Sequence, residues 1–390
     1  MTAPLRVPSS KLPEVGTTIF TRMSQLAAQH GAINLGQGYP DFDCAPELQR
    51  YFTEAMAAGH NQYAPMPGLP ALRAALAAKN RATQGWAHDP DTEITITAGA
   101  TQAIASALMA LVQPGDEVIV LEPTYDSYVP AITLAGGRAV GVPLDAARHH
   151  APDWERVRAA VTPRTRALML NFPHNPTGRC LREHDLRALE TLVDDTGILL
   201  LSDEVYEHIV FDGRQHVSVM RSPRLARGSV VISSFGKTLH ATGWKIGTVC
   251  APATLTAEFR KVHQFTVFSV NTPGQHAVAR MLSEHPDAWR DLPAFYQAKR
   301  DHFLAGLAHT PLKPLPCEGT YFVLVDYSAV SDEPEEDFAR RLTAEIGVAA
   351  IPVAGFYREP REQRTVRLCF AKRKDTLDEA LLRLAKLGPA

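Results

Sequence analysis

The chain has 390 residues, 45% hydrophobic and 21% charged, far from a disordered composition and enough for two or three domains or one large α/β domain with a satellite. Forty Lys and Arg against 42 Asp and Glu leave a formal charge of −2, so no basic surplus points to nucleic acid or to an anionic membrane. Five cysteines, at 44, 180, 250, 317 and 369, are odd in number and hold no C-x-x-C pair, which argues against a disulfide framework or zinc ribbon and fits a reducing cytoplasm. The first residues lack the apolar stretch of a signal peptide, and no run approaches the ~18 apolar residues of a membrane span. A soluble, cytoplasmic protein is expected.

In chain order, residues 1–16 carry four prolines or glycines before any periodic pattern and read as an irregular arm. The spacing of Ile19, Met23, Leu26 and Ala27 predicts a helix that Gly31 stops. Further helices are expected over 48–57 and 69–82, the second opened by Pro70. From residue 93 short β-rich runs alternate with amphipathic ones: strands at 93–97, 117–121, 139–143, 167–171, 198–202, 230–233 and 245–250, helices at 102–111, 181–194 and 255–262. Several strands, such as 198–202, are apolar on both faces, as strands covered on each side should be. This alternation predicts an α/β fold with a mainly parallel, doubly wound sheet. After about 275 the order changes to helices at 274–283 and 288–307, a strand at 321–325, a helix near 334–346 and a strand at 366–370. The expected division is 1–44 as an arm and helix packing with a small domain, 45–275 as the large domain and 276–390 as the small α+β domain.

Unusual polar residues fall where these strands end, the place at which open parallel sheets bind ligands. Successive strands run into Gly99-Ala100-Thr101, then Tyr125, Asn171 and Asn175, Asp203 and Tyr206, and finally Ser234 and Lys237. Residues 97–102 follow a strand and open a helix, so the backbone N–H groups of 99–101 suit a phosphate; a tight turn with a Thr cap is the plainer alternative. The segment is neither G-x-G-x-x-G nor a Walker A loop. Asp203 follows Ser202 and four apolar residues, deep enough to require a cationic or N–H partner. It reads as a cap or structural ion pair, or as the counter-ion of a protonated ring nitrogen, with Tyr206 coming round to the same side. Lys237, in Ser233-Ser-Phe-Gly-Lys-Thr, is either a surface lysine or an amine freed by desolvation for Schiff-base chemistry. Lys245 reads as the start of a strand, either a solvated edge charge or a second phosphate partner. The turn formers of 171–178 give a rigid loop. Arg367 alternates with apolar residues, facing solvent or offering a fork for a carboxylate. The 15 histidines form no H-x-x-x-H or H-E-x-x-H pair, so no metal site is indicated.

These residues together resemble the fold type I, pyridoxal-phosphate-dependent aminotransferases of class I, most closely the branch of kynurenine and methionine aminotransferases. The carriers span nearly the whole chain: Asn34-Leu-Gly-Gln-Gly-Tyr-Pro-Asp-Phe42, Asn61-Gln-Tyr-Ala-Pro65, 97–101, 171–178, Ser202-Asp-Glu-Val-Tyr206, 233–247 and Arg367. The resemblance implies that Lys237 holds pyridoxal 5′-phosphate through its amine and, once freed, moves a proton at the substrate Cα. It implies that Asp203 keeps the ring nitrogen protonated, that Asn175 and Tyr206 hydrogen-bond the phenolic oxygen, and that Tyr125 stacks on the ring. Gly99, Ala100, Thr101, Ser234 and Lys245 would hold the phosphate, joined by Tyr63 from a neighbouring subunit, with Asn171 a further cofactor contact. Many family members carry Arg where Lys245 stands, so that contact would be single-point rather than forked. Arg367 would clamp the substrate α-carboxylate with the Gly38 backbone nearby, and Phe20 and Tyr39 would line an apolar pocket. No match exists for the second arginine of aspartate-specific members. The implied enzyme is a homodimer that moves the amino group of an apolar, sulfur-containing or aromatic L-amino acid, methionine favoured, to a 2-oxo acid. The alternative is a kynurenine- or glutamine-type aminotransferase that also cleaves cysteine S-conjugates at Cβ. Phe265 and Phe268 are expected at the dimer contact.

Overall fold

The computed structural model describes residues 8–86, 88–359 and 361–388; residues 1–7 of the expected arm lie outside them. The helix Ile19–His30 starts where the Thr18 hydroxyl accepts the Thr21 N–H and stops at Gly31, whose φ of 58° is left-handed. A short strand β1 (Ile33–Asn34) follows. Helices Pro46–Ala57 and Pro70–Gln84, each opened by proline, pack on the helix Thr272–Glu284.

The central sheet is built from β2 (Ile94–Thr97), β3 (Glu117–Glu122), β4 (Arg138–Pro143), β5 (Thr165–Asn171), β6 (Leu199–Asp203), β7 (Ser229–Ser234) and β8 (Gly247–Cys250). Its order is β2-β8-β7-β6-β5-β3-β4. β8 runs antiparallel to both its neighbours and all other pairs are parallel. The period-2 alternation of the strands divides them between two cores. Val118, Val120, Ala167, Met169, Leu201, Val230 and Ile232 face the helix Gly99–Leu111 and its neighbour Ala253–Thr266. Ile119, Leu121, Leu168, Leu170, Leu200 and Val231 face the other way, with Leu186, Leu189 and Leu192 of the helix Glu183–Thr196 in the same core. Burial on both faces is what made these strands read as continuous apolar runs.

The C-terminal part adds β9 (Lys313–Pro314), β10 (Phe322–Asp326), β11 (Val348–Ala349), β12 (Ile351–Pro352) and β13 (Thr365–Cys369). Four of them form an antiparallel sheet in the order β12-β13-β10-β9, while β11 pairs in parallel with β1. Arg22 also reaches Glu336 at 2.6 Å, so the helix Ile19–His30 is tied to the C-terminal residues. The helix expected near 334–346 divides into Glu335–Arg341 and a wider π turn, Leu342–Ile346, closed by Gly347. The strand expected at 245–250 begins at Gly247 instead. Lys245 is left-handed (φ 55°) and ends the 3-10 turn Thr242–Trp244, because the chain must reverse there between β7 and the antiparallel β8. All five cysteines are buried free thiols. Among the described residues no helix is long and apolar enough to cross a membrane.

Candidate active site

The carboxyl ends of the parallel strands and the start of β8 enclose a cavity of about 350 Å³, in the size range of small-molecule sites. Where β2 ends, Gly99 takes a φ of 79° and opens the helix Gly99–Leu111, which has no side-chain cap. Its first N–H groups therefore lack intrahelical partners, and Ala100 and Thr101 line the cavity. A Cβ on Gly99 would lie 3.1 Å from Lys245 Nζ, so the missing side chain lets that ammonium lie against the helix start. Ser234 ends β7, and its hydroxyl accepts the Gly236 N–H at 3.2 Å, starting the short helix Phe235–Thr238 that carries Lys237. This wall combines a helix N-terminus, an ammonium and a hydroxyl, an arrangement suited to an anion.

On the same cavity, Asp203 ends β6 and is 4% exposed. Its carboxylate accepts the Tyr128 hydroxyl at 2.6 Å and the Val205 N–H at 3.2 Å; among the described residues it forms no salt bridge, and the nearby Lys237 ammonium acts on it only through space. Burial, opposed by these hydrogen bonds, pushes it up to about 6. Asn171 sits beside Asp203 in the β5–β6 register. It donates to the Asp203 carbonyl at 3.2 Å and accepts the Asn175 N–H at 2.9 Å, which locks the 171–178 loop to the sheet. Burial raises the phenols of Tyr206 and Tyr125, the latter to about 12.

Burial pushes the Lys237 ammonium down to about 8. Its Nζ donates to the Tyr321 hydroxyl at 2.7 Å and to the Gly38 carbonyl at 3.2 Å. Arg367, at the middle of β13, is 1% exposed rather than solvent-facing. Its two terminal nitrogens donate to Asn175 Oδ1 at 2.7 Å and to the Gly36 carbonyl at 2.9 Å, while Nε is buried without a partner. The guanidinium lies 3.9 Å over the Phe322 ring and 5.1 Å from that of Phe20.

Phe20, Gly38, Ala100, Thr101, Tyr125, Asn171, Asn175, Asp203, Tyr206, Ser234, Lys237, Lys245 and Arg367 thus line one cavity, with Gly99 directly behind. Tyr39 does not line it; its ring is half exposed beneath the Lys372 ammonium, which its own carbonyl holds. Tyr63 also lies outside, 79% exposed and edge-on to Phe268 at 5.0 Å. Gly38 offers its carbonyl to Lys237, whereas the carbonyl held by Arg367 is that of Gly36. Sequence reasoning missed Tyr128, Asp126, Thr242 and Phe322 on the lining, and the Tyr321 contact to Lys237. Only Tyr128, three residues past Tyr125 at a helix start, carried a local signal.

A model of the aminotransferase class I and II family matches residues 30–384. The methionine aminotransferase of Escherichia coli K12 is 50% identical over 381 residues, 98% of each chain. Kynurenine–oxoglutarate transaminase 1 of Mus musculus is 35% identical over 393 residues, 92% of each chain. A solved Escherichia coli structure reported with a methionine aminotransferase function has a TM-score of 0.96 and 50% identity, covering 98% of this chain and 100% of that one.

Proposed function

Because this chain belongs to the class I and II aminotransferases, we propose that it uses pyridoxal 5′-phosphate to move the amino group of an apolar, sulfur-containing or aromatic L-amino acid, methionine before others, to a 2-oxo acid. The observation that carries this reading is a buried carboxylate with no salt bridge among the described residues, lining the same cavity as a donor-rich anion wall. A ligand with a cationic ring nitrogen at one end and a phosphate at the other satisfies both. When bound, this cofactor accepts the electron density released at the substrate Cα. Asp203 would hold the proton on the ring nitrogen. Asn175 uses its carbonyl on Arg367, which leaves its amide N–H groups free to donate to the phenolic oxygen beside Tyr206. Tyr125 would stack on the ring and Asn171 would hold the loop against it. The N–H groups of Gly99, Ala100 and Thr101, with Ser234 and Lys245, would hold the phosphate. Lys237 would carry the cofactor, and its amine would move the proton at Cα.

Arg367, with its unpartnered Nε, would bind the α-carboxylate. It is the one arginine among the described residues lining the cavity, and Phe20 and Phe322 flank it. A second carboxylate on the substrate therefore finds no guanidinium, whereas a thioether or aromatic side chain gains ring contacts. The exposure of Tyr63, of Phe268 and of Phe265, 89% exposed, supports a homodimer in which these residues meet the other copy. The buried thiols agree with a cytoplasmic setting, and the division at 1–44, 45–275 and 276–390 remains our reading of the domains.

The test is a panel of amino donors against several 2-oxo acids. Methionine should give the highest kcat/KM, and aspartate and glutamate should fall about 100-fold lower, the order of one unpaired buried charge. Comparable rates with acidic donors would sink the substrate assignment. Pyruvate and ammonia released from a cysteine S-conjugate without an oxo acid would favour the lyase alternative.

A further inference from the structure

Tyr321 touches Lys237 but has no part in the reading above. It directly precedes β10 and is fully buried, with the rings of Tyr206 at 5.2 Å and Tyr296 at 5.7 Å. Its hydroxyl donates to the Gly38 carbonyl at 2.6 Å and stands 2.7 Å from Lys237 Nζ, which reaches the same carbonyl at 3.2 Å. The carbonyl can only accept, and the single phenolic proton is already on it. Lys237 is therefore the donor in both of its contacts. A neutral amine has two N–H bonds and one lone pair. With both N–H groups committed to this carbonyl and phenol, the lone pair is left for the cavity that Lys237 lines.

We infer that Tyr321 is a positioning residue: with the Gly38 carbonyl it holds the free Lys237 amine so that its lone pair faces the cavity and takes the substrate Cα proton along one direction. This rests on the reading of Lys237 as the proton carrier. The proton leaves Cα, becomes the third N–H of the ammonium and is returned from there, so neither Tyr321 nor Gly38 changes protonation. The two acceptors also favour the ammonium. The other groups facing Lys237 are Asp203 from β6, Lys245 from the turn before β8, Arg367 and Cys369 from β13, and the Tyr206 phenol. Tyr321→Phe keeps every one of these side chains and removes one oxygen, which also hydrogen-bonds the Tyr206 phenol.

Two measurements test it. In the full chain freed of cofactor, acetylation of Lys237 by acetic anhydride is followed against pH by peptide mass. The midpoint should lie near 8 in the unchanged protein and about half a pH unit lower or more in Tyr321→Phe, because an acceptor that favours the charged form is gone. In the loaded enzyme, Tyr321→Phe should lower kcat about tenfold, the order of one lost hydrogen bond to a charged group. The KM for methionine should stay within about twofold, and the isotope effect with α-deuterated methionine should grow as proton transfer becomes limiting. Tyr296→Phe removes a buried, unpartnered hydroxyl of the same cluster and should move neither readout. If Tyr321→Phe leaves both unmoved while Lys237→Ala is inactive, Tyr321 only fills space and this inference is wrong. Retained turnover in Lys237→Ala would overturn the reading of Lys237 and this inference with it.

Discussion

At the scale of single residues, Asp203 sets the electrostatic demand of the cavity. Its carboxyl has an ordinary value of 3.8 and rises to about 6 in the folded chain. A raised folded value means that the folded state binds a proton more readily than the unfolded one. The stability this group contributes is therefore fully present below about pH 4 and lost as the pH rises through 6. In the cofactor-free chain the loss should approach roughly 3 kcal/mol by pH 7, and Asp203→Asn should lack it. Urea unfolding of both chains across this window measures the difference; equal slopes would show that Asp203 is not strained by burial. Asp203 was legible from the four apolar residues before it, since a carboxylate there needs a partner. Its partner was not, because Tyr128 lies 75 residues away in sequence. Likewise 84 residues separate Lys237 from Tyr321 and 192 separate Arg367 from Asn175. Such pairs are made by topology, which no local spacing encodes.

Elements explain why some boundaries were readable and others were not. The strand around Leu200 was clear because both its faces are buried, and the helix Ile19–His30 was clear because Thr18 and Gly31 supply its start and stop. Lys245 was misassigned because Lys-Ile-Gly-Thr-Val-Cys looks like one β run, while the reversal into β8 depends on an antiparallel partner that the sequence does not announce. That reversal brings the start of β8 against the phosphate-suited helix start. A Cβ on Gly247 would lie 2.7 Å from the Gly99 carbonyl carbon and 2.9 Å from the Ala100 nitrogen, both backbone atoms that yield little. Gly247→Ala should therefore push β8 off the helix and cost about 1–3 kcal/mol, the usual range for overpacking. It should also weaken pyridoxal 5′-phosphate binding by about tenfold or more, because the displaced N–H groups are the proposed anion ligands. Unchanged cofactor affinity at equilibrium would place the phosphate elsewhere.

For the molecule as a whole, the two sheets supply different parts of one site: Lys237 and Asp203 from the rim of the central sheet, Arg367 from the C-terminal one. A homodimer would add Tyr63 to each cavity. Tyr63→Phe should then raise the cofactor dissociation constant about 10–100-fold, the worth of one hydrogen bond to a charged group. Cofactor should also tighten the dimer in sedimentation, by linkage; a fully active monomer would rule out the shared site. Amino-group transfer through a cofactor on Lys237 can be read from a single half-transfer. Protein loaded with pyridoxal 5′-phosphate is mixed with methionine and no oxo acid, and the 2-oxo acid formed per chain is counted. Close to one per loaded site is expected in the unchanged protein and none in Lys237→Ala. Equal yields from the two chains, or none from the unchanged protein, would contradict it.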